Sequence, residues 1–110
     1  MSDYKTVAKV GEIPEGRGMR FEVGGRVVAI FNDGGKYHAI DDFCPHQMAS
    51  LSAGAFENGI VACPWHDWQF DVRDGTWCND RRRKIDCFEV RVVGDEIQVR
   101  VPDDSRPTVP

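Results

Sequence analysis

No stretch of this sequence approaches eighteen consecutive apolar residues, and its opening, Met1-Ser2-Asp3-Tyr4-Lys5, lacks a basic segment followed by an apolar run. Neither a membrane span nor a secretory leader is read from it, so a cytoplasmic, unanchored protein with no membrane partner is expected. Basic charge is also in short supply. Lys and Arg number 14 against 18 Asp and Glu, a net charge of −4, and that balance does not favour a phosphate-backbone ligand. Nucleic acid is therefore excluded as an expected partner. Helical periodicity is missing too: no amphipathic stretch of ten or more residues occurs, and Pro14, Gly16 and Gly18 interrupt the early segment. There are no internal repeats. The 110 residues, 41% hydrophobic and 29% charged, are ordinary for one globular domain with a modest core and argue against disorder.

Cysteine and histidine are few, four and three residues, yet four of these seven fall into two short motifs. Cys44-Pro45-His46 is followed, after sixteen residues, by Cys63-Pro64-Trp65-His66. Each motif offers one thiolate and one imidazole. A Rieske [2Fe–2S] centre holds one iron with two Cys and the other with two His, so each loop must give one ligand to each iron. Imidazole is neutral where thiolate is anionic, so such a cluster accepts an electron more readily than an all-thiolate one. Potentials of roughly −150 to +300 mV replace the roughly −400 mV of plant-type centres. Pro45 and Pro64 fix φ and remove a donor directly after each cysteine, stiffening both turns. Zinc also accepts two Cys and two His, and a zinc-stabilised interaction module is the competing reading. Its common finger spacings group Cys with Cys and His with His, whereas the ligands here alternate. A Cys44–Cys63 disulfide would need an oxidising compartment and would leave both histidines without a role.

On these motifs the chain resembles the Rieske-type [2Fe–2S] ferredoxin family, the soluble bacterial Rieske ferredoxins and nitrite reductase small subunits. The likeness runs from about Ile40 to Val101 and includes Leu51 and Gly54 between the motifs, then Phe70-Asp71 and Asp74-Gly75. It implies one [2Fe–2S] cluster, with Cys44 and Cys63 on the inner iron and His46 and His66 on the outer, more exposed one. High-potential members typically carry Ser and Tyr where this chain has Trp68 and Phe70, and those hydroxyls donate to a bridging sulfide and a ligand sulfur. Two missing donors imply a low potential, roughly −150 mV. The disulfide that joins the two loops in high-potential members is absent as well, since Ala49 and Trp65 stand at its positions.

Strand signals dominate the rest. Tyr4 to Val10, Arg20 to Val23, Arg26 to Phe31 and Lys36 to Asp41 are expected strands, with Gly24-Gly25 and Asn32-Asp33-Gly34-Gly35 as turns. Gly59 to Ala62 leads into the second motif and Gln69 to Val72 leaves it. Phe88 to Val93 and Glu96 to Val101 alternate around Gly94-Asp95. The expected architecture is all-β: by the resemblance, an antiparallel β-sandwich base with an inserted cluster-binding subdomain at about 41–80. Residues 102–110, with three prolines, read as a mobile tail.

Several residues have two readings. Trp65 and Trp68 flank His66, either as a hydrophobic collar or as simple packing. Asp41 and Asp42 are read as solvated or turn-capping, with a negative local field as the functional alternative. Arg81-Arg82-Arg83-Lys84 is read as a solvated loop between strands, with steering of an acidic partner as its alternative. His38 is taken as structural. Cys78 and Cys87 are expected as free thiols, Cys87 packed beside Phe88 and Cys78 nearer the surface.

The function expected is a low-potential one-electron carrier, passing electrons from a flavin-containing reductase to a terminal oxygenase. The alternative is the small subunit of a cytoplasmic NAD(P)H-dependent nitrite reductase, partnered by its large subunit. The stretch Trp77-Cys78-Asn79-Asp80 to Phe88-Glu89-Val90 looks somewhat like that family. The chain is read as a component of an oxidoreductase system rather than an enzyme alone. A non-haem oxygenase site needs two His and a carboxylate, and only His38 remains once the cluster ligands are assigned.

Overall fold

The run Val27 to Phe31 is apolar without interruption, the pattern of a strand covered on both faces rather than one. In the computed structural model, which describes residues 4–23, 25–42, 50–63 and 68–101, that run lies within a strand buried almost along its whole length. The strands are β1 (Tyr4–Lys9), β2 (Gly18–Val23), β3 (Arg26–Asp33) and β4 (Lys36–Asp41). After a 3₁₀ turn at Leu51–Ala53 come β5 (Phe56–Glu57), β6 (Ile60–Ala62), β7 (Gln69–Asp71), β8 (Thr76–Trp77), β9 (Asp80–Lys84), β10 (Cys87–Val93) and β11 (Glu96–Arg100). Among the described residues there is no α-helix.

Two antiparallel sheets result. Six strands pair in the order β1-β11-β10-β4-β3-β2, and five form the meander β5-β6-β7-β8-β9. The tight turns sit where the glycines placed them. Val23 pairs with Arg26, Asp33 with Lys36 and Val93 with Glu96, so each hairpin has a two-residue connection. Gly34 and Gly35 both have positive φ, 61° and 95°, which the right-handed twist of the flanking strands demands and side-chain-bearing residues resist.

Period-two alternation gives β3 two cores. Val28 and Ile30 join Ile13, Ala39, Ile97 and Val99 beneath the large sheet. Ala29 and Phe31 face the other way, into a core with Ile40, Leu51, Val61, Cys63, Phe70 and Val72 that the small sheet covers. The second core is therefore what fixes the small sheet against the large one. Each large apolar side chain buried there contributes about 1.5–3 kcal/mol.

The structure departs from the sequence reading in three places. Residues Arg81 to Lys84 are no loop: they form β9, the edge of the meander, paired with β8. Charged side chains suit an edge strand because one of its sides faces solvent. Gly75 makes the return possible, since a Cβ there would lie 2.3 Å from the Ile85 carbonyl oxygen and Ile85 N donates to Gly75 O at 2.9 Å. Cys87 is exposed and Cys78 half-buried, the reverse of the expectation, although both are free thiols. The reason is parity: alternation along β10 turns Phe88 and Val90 inward, and so turns Cys87 out. Asp42, read as solvated or turn-capping, is not solvated but fully buried, and it does cap a turn, its carboxylate accepting the Ser52 N–H. The expected tail, 102–110, lies outside the described residues.

Candidate metal centre

Of the four expected ligands, Cys63 lies among the described residues; Cys44, His46 and His66 lie outside them, with Pro45, Ala49, Pro64 and Trp65. The shoulders of both loops are described, and they are built differently. β4 carries the chain to Asp42, where the first loop leaves; Ser50 is where it returns. These two ends are closed by a side chain as well as by one backbone bond. The Asp42 carboxylate accepts the Ser50 hydroxyl at 2.6 Å on one oxygen and the Ser52 backbone N–H at 2.9 Å on the other. The Asp42 carbonyl accepts Leu51 N at 2.5 Å, and Asp42 N donates to Val27 O at 3.0 Å. Arg20 Nε lies 3.8 Å from the carboxylate, on a side chain half in solvent. Buried polar groups persist when they find hydrogen-bond partners, and at 0% exposure each polar atom of Asp42 has at least one.

Asp41 next to it behaves otherwise. Its carboxylate accepts Arg26 Nη2 at 2.9 Å, and the same nitrogen reaches Asp86 at 2.9 Å. Arg26 is buried and lies over the Phe88 ring, with its guanidinium carbon 5.1 Å from the centroid. Asp41 is thus half of a compensated ion pair that ties β4 to the start of β10.

The second loop leaves at Cys63 and returns at Trp68, between the paired strands β6 and β7. Backbone closes it: Cys63 N donates to Trp68 O at 2.7 Å, one step beyond the Ala62–Gln69 pair. Cys63 is fully buried and in no disulfide. Val61, Phe70 and Trp77 lie in register across three strands and so share a face. Cys63, two residues after Val61, and Trp68, two before Phe70, fall on that same face. Trp68 stacks on Trp77 with centroids 4.3 Å apart and planes 16° from parallel. Trp68 is therefore packed onto the sheet, as the simpler reading held; Trp65 is outside the described residues. The Trp77 Nε1–H is buried with no acceptor among the described residues.

Gly54 brings the two loops' shoulders together. A Cβ on it would lie 1.9 Å from the carbonyl oxygen of Ala62, the residue before Cys63. Its φ of −81° is open to any residue, so the demand for glycine is one of space alone. Ala62 N in turn donates to Ala55 O at 2.9 Å.

Behind the hairpin, Asp71 collects positive charge. It accepts Arg73 Nε at 2.8 Å and Nη2 at 2.9 Å, and Arg81 Nη1 at 3.3 Å. These bonds, Arg73's first, hold its carboxyl at about 2, against the opposing effect of burial. Arg82 pairs with Asp80 at 3.0 Å. Much of the basic run is thus matched within the small sheet. His38 is partly buried with Asp33 4.0 Å away; burial pushes its pKa below the ordinary value, and among the described residues it belongs to no cluster that could hold a metal ion.

The fit to an iron–sulfur cluster rests on these shoulders. A buried free thiol at a strand end supplies a soft ligand, and an orphaned indole N–H on the same face suits a group rich in sulfur acceptors. Sequence reasoning missed the Asp42–Ser50–Ser52 closure, which no motif announces. It also missed β5, although Asn58-Gly59, with φ of 54° and 80°, is the two-residue hairpin signal that would have found it.

Comparison with known proteins agrees with this arrangement. The Rieske [2Fe-2S] domain model matches residues 3–100. The ferredoxin component of the alkene monooxygenase system of Xanthobacter autotrophicus is 33% identical over 98 residues, covering 88% of this chain and 80% of the relative. The solved ferredoxin of carbazole 1,9a-dioxygenase from Nocardioides aromaticivorans has a TM-score of 0.82 at 31% identity, covering 87% of this chain and 95% of that one. A structure from Mycobacterium tuberculosis described as an NADH-dependent nitrite reductase small subunit has a TM-score of 0.84 at 26% identity, covering 93% and 97%. Alternating Cys and His in the two sequence motifs, a buried thiol at the end of β6 and a family match over nearly the whole length lead to one conclusion: the chain belongs to the Rieske [2Fe–2S] family, and is an electron carrier with a Rieske-type [2Fe–2S] cluster.

Proposed function

We propose that Cys44, His46, Cys63 and His66 hold the cluster, and that the chain passes single electrons from a flavin-containing reductase to a terminal oxygenase in the cytoplasm. The cluster, when bound, takes up and releases one electron at a time. The chain's own residues do the rest. Asp42 and the Cys63–Trp68 backbone bond close the two loops, Gly54 lets their shoulders meet, and Leu51, Phe70, Trp68 and Trp77 keep water from the cysteine side. The cluster-binding subdomain is taken as about 41–80, with residues 102–110 as a tail. Phe70 and Trp68 bring no hydroxyl to the sulfur atoms, which supports a potential near the negative end of the Rieske range.

The observation that carries the oxygenase reading is identity: the relatives above 30% are ferredoxins of a monooxygenase and a dioxygenase. A nitrite reductase small subunit is the second reading, favoured by the longer structural overlap. Reduced protein should show the rhombic EPR signal of a mixed His/Cys cluster, with two irons and no zinc per chain. A colourless, zinc-loaded protein would sink both readings. Between them, electron delivery to a terminal oxygenase but not to a nitrite reductase large subunit supports the first, and the opposite result the second.

A further inference from the structure

Asp42 is the one acidic residue among those described that is fully buried, and it stands two residues before Cys44. We propose that Asp42 is a positioning residue for electron transfer: it fixes the ends of the loop carrying Cys44 and His46, and its charge keeps the midpoint potential low. This rests on the assignment of Cys44 and His46 as ligands.

Two features of the geometry set Asp42 apart from a structural cap. The first is that both carboxylate oxygens accept, one from the Ser50 hydroxyl and one from the Ser52 N–H. An asparagine could keep the Ser52 N–H bond and turn its N–H₂ to the Ser50 hydroxyl oxygen, which also accepts, so what a carboxylate alone brings to this site is the charge. The second is the lack of close compensation. Asp41 is partly exposed and has the nitrogen of a buried guanidinium at 2.9 Å. Asp42 is held by neutral donors, and the cation within reach, Arg20, is 3.8 Å away on a half-exposed side chain. Neutral hydrogen bonds stabilise the carboxylate without cancelling its field. Inside a protein that field is weakly screened, and it opposes any further negative charge placed nearby. Reduction adds one negative charge. Asp42 therefore disfavours the reduced state relative to the oxidised one, and the same groups that hold the charge also hold the loop.

The test uses the reconstituted holoprotein. Asp42→Asn removes the charge and should move the midpoint potential to more positive values, with iron content retained. Ser50→Ala removes one of the two closing bonds and keeps the charge, so it should alter the EPR line shape without raising the potential. Wild-type potential and line shape in Asp42→Asn would overturn the inference. If Asp42→Asn fails to fold, Ser50→Ala decides through the spectrum, a wild-type line shape again overturning the positioning role. His46→Ala separates this from the ligand assignment. Loss of the Rieske signal there, beside an unaltered Asp42→Asn, sinks this inference alone; a full signal in His46→Ala overturns the ligand set and this inference with it.

Discussion

The two loops that flank the candidate centre are closed by different means. The second lies between paired strands: β6 and β7 are already in register, and one more backbone bond, Cys63 N to Trp68 O, closes it at no cost in side chains. The first starts from the large sheet, at the end of β4, and returns into a 3₁₀ turn that belongs to no strand. Its ends share one backbone bond, Leu51 N to Asp42 O, but no run of paired residues, and a buried carboxylate adds two more bonds. Register, then, makes the second closure robust to sequence, whereas the first depends on Asp42 and on the absence of a side chain at Gly54. Substitutions on the first shoulder should accordingly do more harm than substitutions on the second.

The largest effect is expected at Gly54. Gly54→Ala places a methyl against the Ala62 carbonyl, and because the obstacle is backbone, one shoulder must move. Overpacking of this kind costs about 3 kcal/mol. Thermal unfolding should show a loss of that size, and iron retention after reconstitution should fall with it; a variant with normal iron content and stability would show that the shoulders need not touch.

Asp42→Ala comes next. It leaves the Ser52 N–H without its acceptor and takes one partner from the Ser50 hydroxyl, which still has Ser52 Oγ at 2.9 Å. Such losses cost about 2–3 kcal/mol together. Urea unfolding of the apoprotein measures this apart from the metal. If the cost is below that of removing an exposed carboxylate, the first loop has another closure.

On the hairpin side the charges matter less, and pH reads them through the buried Asp71. Asp71 has its pKa lowered to about 2 by Arg73 and Arg81, so its contribution is complete above the ordinary carboxylate range and is lost as pH falls through about 2. Allowing for screening of the half-exposed guanidinia, that contribution is about 1–2 kcal/mol. Asp71→Asn should lower stability at pH 7 by this amount and flatten the stability profile between about pH 4 and about pH 2. A profile of unchanged shape would assign the acid loss to other carboxylates.

Much of this was legible beforehand, and the exceptions share a cause. Glycine pairs announced the hairpins because positive φ is a local demand, and the apolar run Val27 to Phe31 announced a strand with two buried faces. The family was legible because the chemistry of a mixed Cys/His centre fixes residue type and spacing together, and the two Cys/His motifs carry both. Asp42 was not, since its partners Ser50 and Ser52 lie across a loop and burial is decided by packing that no local pattern records. Strand β9 was hidden for the opposite reason: Arg81 to Lys84 lack apolar alternation, and the pairing that makes them a strand depends on Gly75 and on Arg81 reaching Asp71. Cys87 was misplaced by reading its neighbour instead of its parity.

The smallest effect tests the hairpin side where it meets the cluster. Phe70 is buried on the face shared with Cys63, two residue pairs away from the Cys63–Trp68 closure. Phe70→Tyr adds a hydroxyl there while keeping the ring, so packing changes little. A hydrogen bond to a ligand sulfur would favour the reduced state, and a differential of about 1.4 kcal/mol corresponds to about 60 mV for one electron. Protein-film voltammetry of the holoprotein should therefore show an upward shift of up to about 60 mV, with the EPR line shape kept. The direction matches that expected for Asp42→Asn, but the cause is opposite: one variant adds a donor to the backbone-closed side, the other removes a charge from the side closed by a carboxylate. If the two act independently, their shifts should add in the double variant. An unaltered potential in Phe70→Tyr, beside a raised one in Asp42→Asn, would mean that the potential is set from the first loop alone.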